Sequence, residues 1–577
     1  MEKIEKDKNI DIPSLRIKEI KFNDNTEIEL ENDDIILFVG ANNVGKSRTL
    51  KDIKDDLIQE NLNNKIIISD IKYNSNNFNK DSIKKFLERN FRFDKDNNEN
   101  YSIPVEYNYN YCYDRNNFDN LPTSSQLFYK LFFTFLSTEN RLNITAPIFY
   151  SNIQDNFSFN IMERLYTNEN EIKKLNRFLL DSFEKAIDIS EEPIQNTCAK
   201  KYKIGNEIEI ESTISSNRRT AMQNLKNLED LHNQGDGIRS AVGILASLIV
   251  NEHSIALIDE PESFLHPPQA RILGNNIAEL SDKKQCFIST HNIDLIRGIL
   301  EKKSSRVKII KIDRKSNSNE FHLLDNDSIV KIANDKNLKY TNILNGLFYN
   351  KVVLCENEND CKFYSAILET LDGKIYQNTL FCAVGGKDQF KVIIPLLKKL
   401  QISYLIIADM DLIDDKNRLR QLLNSIEDNK YDEISNIHKK FLEEFESDKS
   451  LVKEQSTIKK EINKVFTNEK YMSLQAADKI KDILKNINSL KLLKEGGISV
   501  IPSGECRKKF DKIKHILNEN NIFILECGEM ERLIPQEEGH GGAWVEKVLK
   551  EYPDINDNIY DAARDFIRKA FNISNNN

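Results

Sequence analysis

The chain has 577 residues, of which 39% are hydrophobic and 30% charged, and its formal net charge is −9. This length exceeds the size at which one hydrophobic core keeps growing, so we expect at least two domains. No apolar run reaches the roughly 18 residues of a membrane span, and the N-terminal stretch lacks an apolar signal region, so the sequence predicts a cytoplasmic protein. The acidic balance excludes a broadly basic surface, and nucleic acid would bind through a local basic patch or metal-bridged phosphates.

The stretch from Ile35 to Leu50 begins with an apolar run that has the length and composition of a buried strand. The segment that follows the run, Gly40–Ser47, fits the pattern G-x-x-x-x-G-K-[ST]. Glycines at both ends let successive backbone N–H groups point at phosphate oxygens, while the lysine reaches the β- and γ-phosphates and the serine hydroxyl coordinates Mg²⁺. The sequence therefore predicts an ATP site whose first half contains Gly40, Asn43, Gly45, Lys46 and Ser47.

The chain changes character after the next predicted strand, Ile66–Ile71. Between about residues 74 and 203, Asn-rich loops alternate with aromatic segments and with predicted helices at Ser125–Ser137 and Asn160–Ile187. This block separates the phosphate-binding segment from the second half of the predicted ATP site. We therefore predict an inserted, mainly helical region within a first domain of residues 1–345, and we interpret the insertion as a dimerisation region.

The second half of the predicted ATP site begins with a buried strand at Ile255–Ile258. Asp259 and Glu260 follow it directly, at the edge of an open α/β sheet where ligands bind. Asp259 is predicted to hold the Mg²⁺ ion and Glu260 to polarise the attacking water. A further short strand, Gln285–Ile288, precedes Ser289-Thr290-His291.

These motifs resemble the ATP-binding-cassette family, in its cytosolic branch of DNA-repair and structural-maintenance ATPases. His291 resembles the family's histidine switch, which senses the γ-phosphate. The segment Gln234–Ser240 occupies the place of the family's signature motif, although its sequence differs from the usual Leu-Ser-Gly-Gly-Gln. The resemblance implies that Gly237 and Arg239 contact nucleotide bound to a partner subunit, and hence a homodimer or a dimer of dimers.

A second domain is predicted over residues 346–577. Its first strand is Lys351–Leu354, and a later strand is Gln401–Ala408. Acidic residues follow both strands, and the C-terminal ends of neighbouring strands converge at one edge of a sheet. The carboxylates that could form a Mg²⁺ site there are Glu356, Asp360, Asp409 and Asp411.

The pattern Glu-x-x-x-Asp followed by Asp-x-Asp resembles the Toprim domain, as does the intervening Gly385-Gly386-Lys387 loop. An ATP-binding-cassette ATPase followed by Toprim is identified as the arrangement of the OLD (overcoming lysogenization defect) nucleases, including the Gabija-type anti-phage nucleases. A long charged block, about residues 416–493, is predicted to be a helical insertion. The resemblance implies the metal ligands Glu356, Asp360, Asp409, Asp411 and Glu531, with Glu529 as the competitor of Glu531, and a catalytic Lys547, with Lys550 as second candidate.

The implied activity is hydrolysis of nucleic acid, expected to be DNA, by two Mg²⁺ or Mn²⁺ ions about 4 Å apart. ATP would regulate the nuclease, and the implied role is anti-phage defence with a helicase-like or other partner protein. Two alternatives remain open. One is a DNA-binding ATPase of the structural-maintenance or RecF type without nuclease activity, and the other is a PARIS-type defence ATPase fused to a Toprim domain that cleaves RNA.

Overall fold

The structure, a computed structural model, divides into two compact units, Met1–Val330 and Lys331–Asn577. The residues that the structure describes are 13–58, 65–79, 81–83, 85–86, 93–94, 100–106, 109–114, 129, 131–150, 161–194, 197–210, 224–250, 253–315, 318–324, 326–334, 342–448, 451, 455–466, 472–485 and 489–574.

In the described residues of the first unit, the strands form four sheets, and helices connect many of the strands. Its strands are β1 (Ser14–Phe22), β2 (Glu27–Glu29), β3 (Ile35–Val39), β4 (Ile68–Asn76), β5 (Phe93–Asp94), β6 (Asn100–Glu106), β7 (Tyr109–Asp114), β8 (Phe133–Leu136), β9 (Ile148–Tyr150), β10 (Ala186–Ile194), β11 (Thr197–Gly205), β12 (Glu229–Asp230), β13 (Ile255–Asp259), β14 (Gln285–Ser289), β15 (Val307–Lys315) and β16 (Ser318–Leu323). Its helices are α1 (Lys46–Ile58), α2 (Thr138–Ile144), α3 (Ile161–Thr167), α4 (Glu169–Phe183), α5 (Asp236–Val250), α6 (Pro267–Leu280), α7 (Ile293–Lys303) and α8 (Asn326–Asn334), which continues across the division between the units.

The largest sheet has the strand order β16-β15-β3-β14-β13-β8, and only the β15–β16 pair in it is antiparallel. All five residues of β3 are buried, and so are all five of β14. Parallel strands covered on both faces read as continuous apolar runs, which is why the sequence pattern located them. Because β13 and β14 pair in register, the residues that follow them lie side by side at one edge of the sheet.

The prediction of a mainly helical insertion at about 74–203 is wrong for the described part of that segment. Besides α2, α3 and α4, this part contains the strands β5 to β11. One of them, β8, pairs in parallel with β13 and is an edge strand of the largest sheet, although its residues fall inside the helix predicted at Ser125–Ser137. A short, largely apolar segment such as Phe133–Leu136 fits a buried strand and a buried helix equally well, and the tertiary pairing decides between them.

The second unit contains a parallel four-stranded sheet of order β18-β17-β19-β20. Its strands are β17 (Lys351–Cys355), β18 (Thr379–Ala383), β19 (Tyr404–Ala408) and β20 (Ile522–Ile524). Its helices are α9 (Glu358–Leu371), α10 (Gly373–Gln377), α11 (Phe390–Lys399), α12 (Lys416–Ile426), α13 (Ser435–Ser447), α14 (Gln455–Asn463), α15 (Leu474–Lys485), α16 (Ser489–Gly496), α17 (Glu505–Glu519), α18 (Gly541–Glu551) and α19 (Asp561–Phe571).

The segment between β19 and β20 is helical in its described part, and its end returns to the sheet. The backbone N–H of Ile498 donates to Glu526 O at 2.7 Å. Gly528, just after β20, has φ +109°, and a Cβ there would lie 2.1 Å from Lys494 O. Only a residue without a side chain allows this approach, so Gly528 lets α16 pack against the turn that follows β20.

No helix in the described residues is long and apolar enough to cross a membrane. The cysteines whose side chains the structure describes are free thiols, as the scattered spacing of the chain's eight cysteines predicts.

Candidate nucleotide site and candidate metal centre

The phosphate-binding loop joins β3 to α1 and depends on two glycines in the left-handed region. Gly40 has φ +146° and Gly45 has φ +105°. A Cβ on Gly40 would lie 2.4 Å from Ile312 O, and one on Gly45 would lie 2.5 Å from Ile67 Cδ1. Asn43, at φ +64°, belongs to the same turn, and the half-buried Ser47 is the second residue of α1. The loop therefore has no room for side chains at its two glycines, as a backbone cradle for phosphates requires.

Lys46 is buried at the start of α1, and its ammonium donates hydrogen bonds to backbone carbonyls of the phosphate-binding loop. Nζ donates to Gly40 O at 2.9 Å and to Ala41 O at 2.8 Å. Burial lowers the pKa of Lys46, and Glu260 is the largest of the acidic neighbours that oppose this shift. The ammonium thus stays within the curve of the loop, where phosphate oxygens can replace the two carbonyl acceptors.

The last residues of β13 and β14 and those that follow them meet at one edge of the sheet. Ser289 Oγ donates to Asp259 Oδ1, and the backbone N–H of Glu260 donates to Ser289 O at 3.0 Å. Glu260 has φ +46°, a left-handed conformation that is uncommon for a residue with a side chain. His291 Nδ1 lies 3.7 Å from Glu260 Oε1. The structure therefore brings Asp259, Glu260 and His291 together.

Glu262 is a buried member of this site to which the sequence analysis assigned no role. Its Oε1 accepts from Thr290 Oγ1 at 2.7 Å and from the backbone N–H of His291 at 2.9 Å. Its Oε2 is buried and has no hydrogen-bond partner, and burial raises the pKa of the carboxyl group. Glu262 thus holds the segment that carries His291, and the signal in the sequence was its place two residues after Glu260.

Arg141 is a second residue that the sequence analysis missed. It lies on α2, within the segment interpreted as an insertion, and it is fully buried. Its guanidinium donates to Asp259 O, to Glu260 O at 3.0 Å and to Thr138 Oγ1 at 3.2 Å. Arg141 thereby fixes the backbone of the two acidic residues at the end of β13.

Gly237 and Arg239 lie at the start of α5, where the signature segment was predicted. A Cβ on Gly237 would lie 2.6 Å from Phe264 O, and Arg239 NH1 donates to Asp236 Oδ1 at 2.8 Å. No hydrogen bond or ion pair within the described residues joins either of them to the phosphate-binding loop. The role predicted for them toward a partner subunit stays a prediction.

In the second unit, Glu356 follows β17, and Asp409 and Asp411 follow β19. One carboxylate oxygen from each of the three lies within 4.8 Å of the others. Glu356 Oε1 and Asp411 Oδ1 are buried without a hydrogen-bond partner, although the Lys387 ammonium lies beside both. Three clustered, partly buried carboxylates whose charge is balanced in part by one ammonium fit a bound cation, and an all-oxygen donor set suits Mg²⁺ or Mn²⁺.

The electrostatics of this cluster show how crowded its negative charges are. Burial, and after it the charge of Glu356, raises the pKa of Asp409 to about 7. Burial also raises the pKa of Glu356, against the opposing charge of Lys387. Lys494 Nζ lies 3.4 Å from Asp409 Oδ2 and 4.0 Å from Asp411 Oδ2. Burial lowers the pKa of Lys494, but the two aspartates outweigh it, and the net shift is upward.

Two of the other predicted ligands, Glu529 and Glu531, lie in a separate group with His540. Glu529, Glu531 and His540 each place one ligand atom within 4.8 Å of the others. The backbone N–H of Met410, between the two aspartates of the first cluster, donates to Gly528 O at 2.8 Å and so ties the two turns together. Asp360 belongs to neither trio. It accepts from the backbone N–H of Asn357 at 3.0 Å, and burial raises its pKa, with Glu531 among the charges that add to the shift.

Lys547, predicted as the catalytic lysine, is not brought to the carboxylates. It lies on α18 and pairs with Glu537. Lys550, on the same helix, has no ion pair with either trio within the described residues. The lysines that reach the carboxylates are Lys387, from the loop after β18, and Lys494, from α16. The family pattern led to α18 because sequence spacing does not show that α16 returns to the sheet.

Two family models match the sequence. Residues 35–297 match "AAA domain, putative AbiEii toxin, Type IV TA system", and residues 347–411 match "Overcoming lysogenization defect protein-like, TOPRIM domain". The chain has the ATPase and Toprim architecture of the OLD family. The resemblance inferred from the motifs and the expected α/β fold are thereby confirmed. No curated protein matches this OLD-like chain.

Solved structures similar to the OLD-like chain include heads of structural-maintenance proteins. The Smc head bound to the C-terminal winged-helix domain of ScpA aligns over 55% of this chain and 99% of its own, at 13% identity and a TM-score of 0.32. The Smc head with an extended coiled coil from Pyrococcus furiosus, bound to the C-terminal domain of ScpA, aligns over 56% and 98%, at 12% identity and a TM-score of 0.30. The SMC head domain from Thermotoga maritima aligns over 54% and 99%, at 13% identity and a TM-score of 0.27.

Proposed function

We propose that this protein is a nucleotide-regulated, metal-dependent nuclease that hydrolyses phosphodiester bonds of nucleic acid, with DNA as the substrate. The observation that carries the proposal is the trio Glu356, Asp409 and Asp411 at the ends of two adjacent parallel strands, with Glu356 Oε1 and Asp411 Oδ1 buried and charge-paired with the Lys387 ammonium, in whose place a cation could balance them. Two divalent ions bound at such carboxylates supply a hydroxide nucleophile and neutralise the leaving oxygen.

The residues of the chain hold these charges in place and position the substrate. Glu356, Asp409 and Asp411 bind from strand ends that the sheet fixes, so their geometry does not depend on a mobile loop. Lys387 and Lys494 place two ammonium groups beside the carboxylates. When the carboxylates bind cations, the two lysines are free to contact the oxygens of a scissile phosphate.

The nucleotide site is proposed to regulate this nuclease. Asp259, Glu260 and His291 are the groups that would position Mg²⁺, water and the γ-phosphate. The signature segment with Gly237 and Arg239 is proposed to complete the site of a second subunit, which requires at least a homodimer. ATP would then act by changing the arrangement of the subunits. The family resemblance further supports a role in anti-phage defence, with a helicase-like or other defence protein as partner.

A cleavage assay tests the proposal. Supercoiled plasmid, linear duplex DNA and tRNA are incubated with Mg²⁺ or Mn²⁺, with and without ATP, and ATP turnover is measured on the same preparations. Asp409→Ala should reduce cleavage by roughly a thousandfold, because one ion contributes several kcal/mol to the transition state. ATP turnover should be unchanged. Asp428→Ala, at an exposed aspartate of the same unit, is the matched control.

The substrate panel distinguishes the alternatives. Cleavage of DNA that depends on Asp409 supports the proposal. Cleavage of tRNA alone would contradict the proposal and support the alternative of a Toprim domain that cleaves RNA. ATP turnover without cleavage of any substrate, by the parent protein in either metal, would leave a nucleic-acid-binding ATPase.

A further inference from the structure

Helices α11 and α12 line a surface cavity of 510 Å³ in the second unit, which we call the α11–α12 cavity. Every residue of its lining is polar. The lining residues are Lys391 from α11 and Asn417, Arg420, Gln421, Asn424 and Ser425 from α12. Two of them are cationic and none is acidic, although the whole chain has a net charge of −9. Such a cavity attracts an anionic ligand.

The lining carries hydrogen-bond donors that the protein itself leaves unused. The Arg420 guanidinium makes no hydrogen bond or ion pair with the described residues, and the side-chain amide of Asn417 makes no hydrogen bond with them. Gln421 and Asn424 use their amide oxygens as acceptors, from Lys391 Nζ and from a backbone N–H of the turn after α12. Their amide nitrogens stay available as donors. Unused donors without a neighbouring carboxylate suit a ligand that is rich in acceptor oxygens, as a phosphodiester is.

The carboxylates closest to the cavity leave its charge unbalanced. Asp388 Oδ1 lies 3.8 Å from Lys391 Nζ and 3.9 Å from Arg418 Nε, but the Asp388 side chain is 67% exposed, so water screens its charge. Asp415, the N-cap of α12, accepts hydrogen bonds from two backbone N–H groups of the first helical turn. Neither carboxylate forms an ion pair with Arg420, which therefore keeps its full charge for a ligand.

Both helices connect the cavity to the carboxylate trio. Arg418, on the first turn of α12, donates from NH1 to Asp411 O at 3.5 Å and to Asp414 Oδ1 at 3.3 Å. On the other side, Lys391 comes four residues after Lys387, whose ammonium pairs with Asp411. At about 1.5 Å per residue, the lining residues of α12 lie within roughly 10 Å of Arg418 along the helix axis. A DNA strand rises about 3.4 Å per nucleotide, so the cavity lies about three nucleotides or fewer from a phosphate at the carboxylates.

We propose that the α11–α12 cavity binds one nucleotide of the nucleic-acid strand that the carboxylate trio cuts. Lys391 and Arg420 hold its backbone phosphate, and the amides of Asn417, Gln421 and Asn424 contact the oxygens of its sugar and base. The volume of the cavity lies within the roughly 300–1,000 Å³ of sites that enclose small organic ligands, and it exceeds what a free phosphate fills. This inference rests on the proposed function, since it names how that nuclease holds its substrate, but binding can be measured without cleavage.

Protection of Arg420 from chemical modification tests where the nucleic acid binds. Full-length Asp409→Ala protein, which should not cut the probe, is treated with phenylglyoxal in Mg²⁺, with and without single-stranded or duplex DNA. Peptide mass spectrometry then quantifies the modified arginines. Saturating DNA should slow the modification of Arg420 by roughly fivefold or more and leave that of Arg568, on α19, unchanged. Inorganic phosphate at the same phosphate concentration should not protect Arg420, because it makes no contact with the amides.

Affinities from fluorescence anisotropy separate a phosphate contact from a contact to sugar or base. In the Asp409→Ala background, Lys391→Gln and Arg420→Gln should each weaken DNA binding roughly tenfold. Each should also lower the slope of the logarithm of the binding constant against the logarithm of the salt concentration by about 1. Asn417→Ala removes an uncharged group, so it should weaken binding about threefold with an unchanged slope. Lys440→Gln, at an exposed lysine of α13, is the control.

Three results would overturn the inference. The first is an unchanged modification rate of Arg420 in DNA, and the second is DNA affinity within about twofold of the background in both Lys391→Gln and Arg420→Gln. The third is equal protection of Arg420 by inorganic phosphate, which would make the cavity a site for free phosphate.

Failure of the proposed function has a different signature. If the parent protein cleaves no substrate while DNA protects Arg420, the cavity binds nucleic acid and the protein is not a nuclease. If the parent protein cleaves DNA while Arg420 stays unprotected, the nuclease stands and the cavity is not its subsite.

Discussion

Replacing Asp409 by asparagine should stabilise the metal-free protein at neutral and higher pH. The folded-state pKa of Asp409 is about 7, whereas an aspartate in an unfolded chain titrates near about 4. The folded state therefore retains a proton that the unfolded state releases. Stability from this group is fully present below about pH 4 and is lost as the pH rises to about 7. Asparagine is neutral at every pH and avoids this loss.

The size of the effect follows from the separation of the two pKa values. About three pH units at 1.36 kcal/mol each give about 4 kcal/mol above pH 7. Because the side chain of Asp409 is 20% exposed to solvent, screening reduces this stability difference to roughly 2–4 kcal/mol. For a unit of this size each kcal/mol shifts Tm by about 2–4 °C, so we expect Asp409→Asn to melt roughly 5–10 °C above the parent protein at pH 8.

The assay is thermal unfolding followed by Trp544 fluorescence, in EDTA, at several pH values between 4 and 8. The advantage of Asp409→Asn should be largest at pH 8, shrink as the pH falls and vanish near pH 4. Added Mg²⁺ should raise the Tm of the parent more than that of the variant, because the variant has lost a charged ligand. Equal Tm values at pH 8 without metal, or a difference that does not change with pH, would refute the reasoning. Asp428→Asn should melt like the parent.

Three further predictions concern the nucleotide site and the route to nucleic acid. Lys46→Ala should abolish detectable ATP binding, whereas Glu260→Gln should bind ATP normally and hydrolyse it at least a hundredfold more slowly. If Glu260→Gln and the parent protein hydrolyse ATP at the same rate, Glu260 does not polarise the attacking water. Arg141→Lys should lower kcat for ATP hydrolysis about tenfold with little change in KM, because it loosens the backbone of the acidic pair without touching nucleotide, and single-turnover kinetics will check this. Lys391 and Arg420 line a surface cavity of 510 Å³. Replacing both by glutamate should weaken nucleic-acid binding and reduce the slope of the logarithm of the binding constant against the logarithm of the salt concentration by about 2. An unchanged slope in fluorescence-anisotropy titrations would show that the phosphates bind elsewhere.

The motifs were predictable because their chemistry is local in sequence. The phosphate-binding loop needs glycine at two fixed places, and both Gly40 and Gly45 have the positive φ that the pattern requires. The paired acids at the end of β13 and after β19 lie where parallel strands end, and a buried parallel strand can be recognised from its apolar run alone. The first halves of both candidate sites could therefore be located from the sequence.

The remaining residues of the two candidate sites come from chain segments that are far away in sequence and are brought to the site only by the fold. Arg141 reaches the acids after β13 from a position 118 residues away, and Lys494 reaches Asp409 from the far end of the helical segment between β19 and β20. Lysines and arginines are common in helices, and their spacing carries no sign of which one turns inward. His540 was missed for a related reason, since a lone histidine in a glycine-rich turn belongs to no family pattern that the sequence could be compared with.

The position of β3 in the largest sheet also affects how the protein is made. This fully apolar strand pairs with β14 on one side and with β15 on the other, so its first neighbour is synthesised about 250 residues after it. At a translation rate of about 5–20 residues per second, β3 waits roughly 12–50 s for its first partner. During that interval Ile35–Val39 is an apolar strand with two unpaired edges, the kind of segment that aggregates. The nascent chain is therefore expected to require a chaperone until β14 emerges, and the yield of native protein should rise when translation is accelerated between α1 and β14.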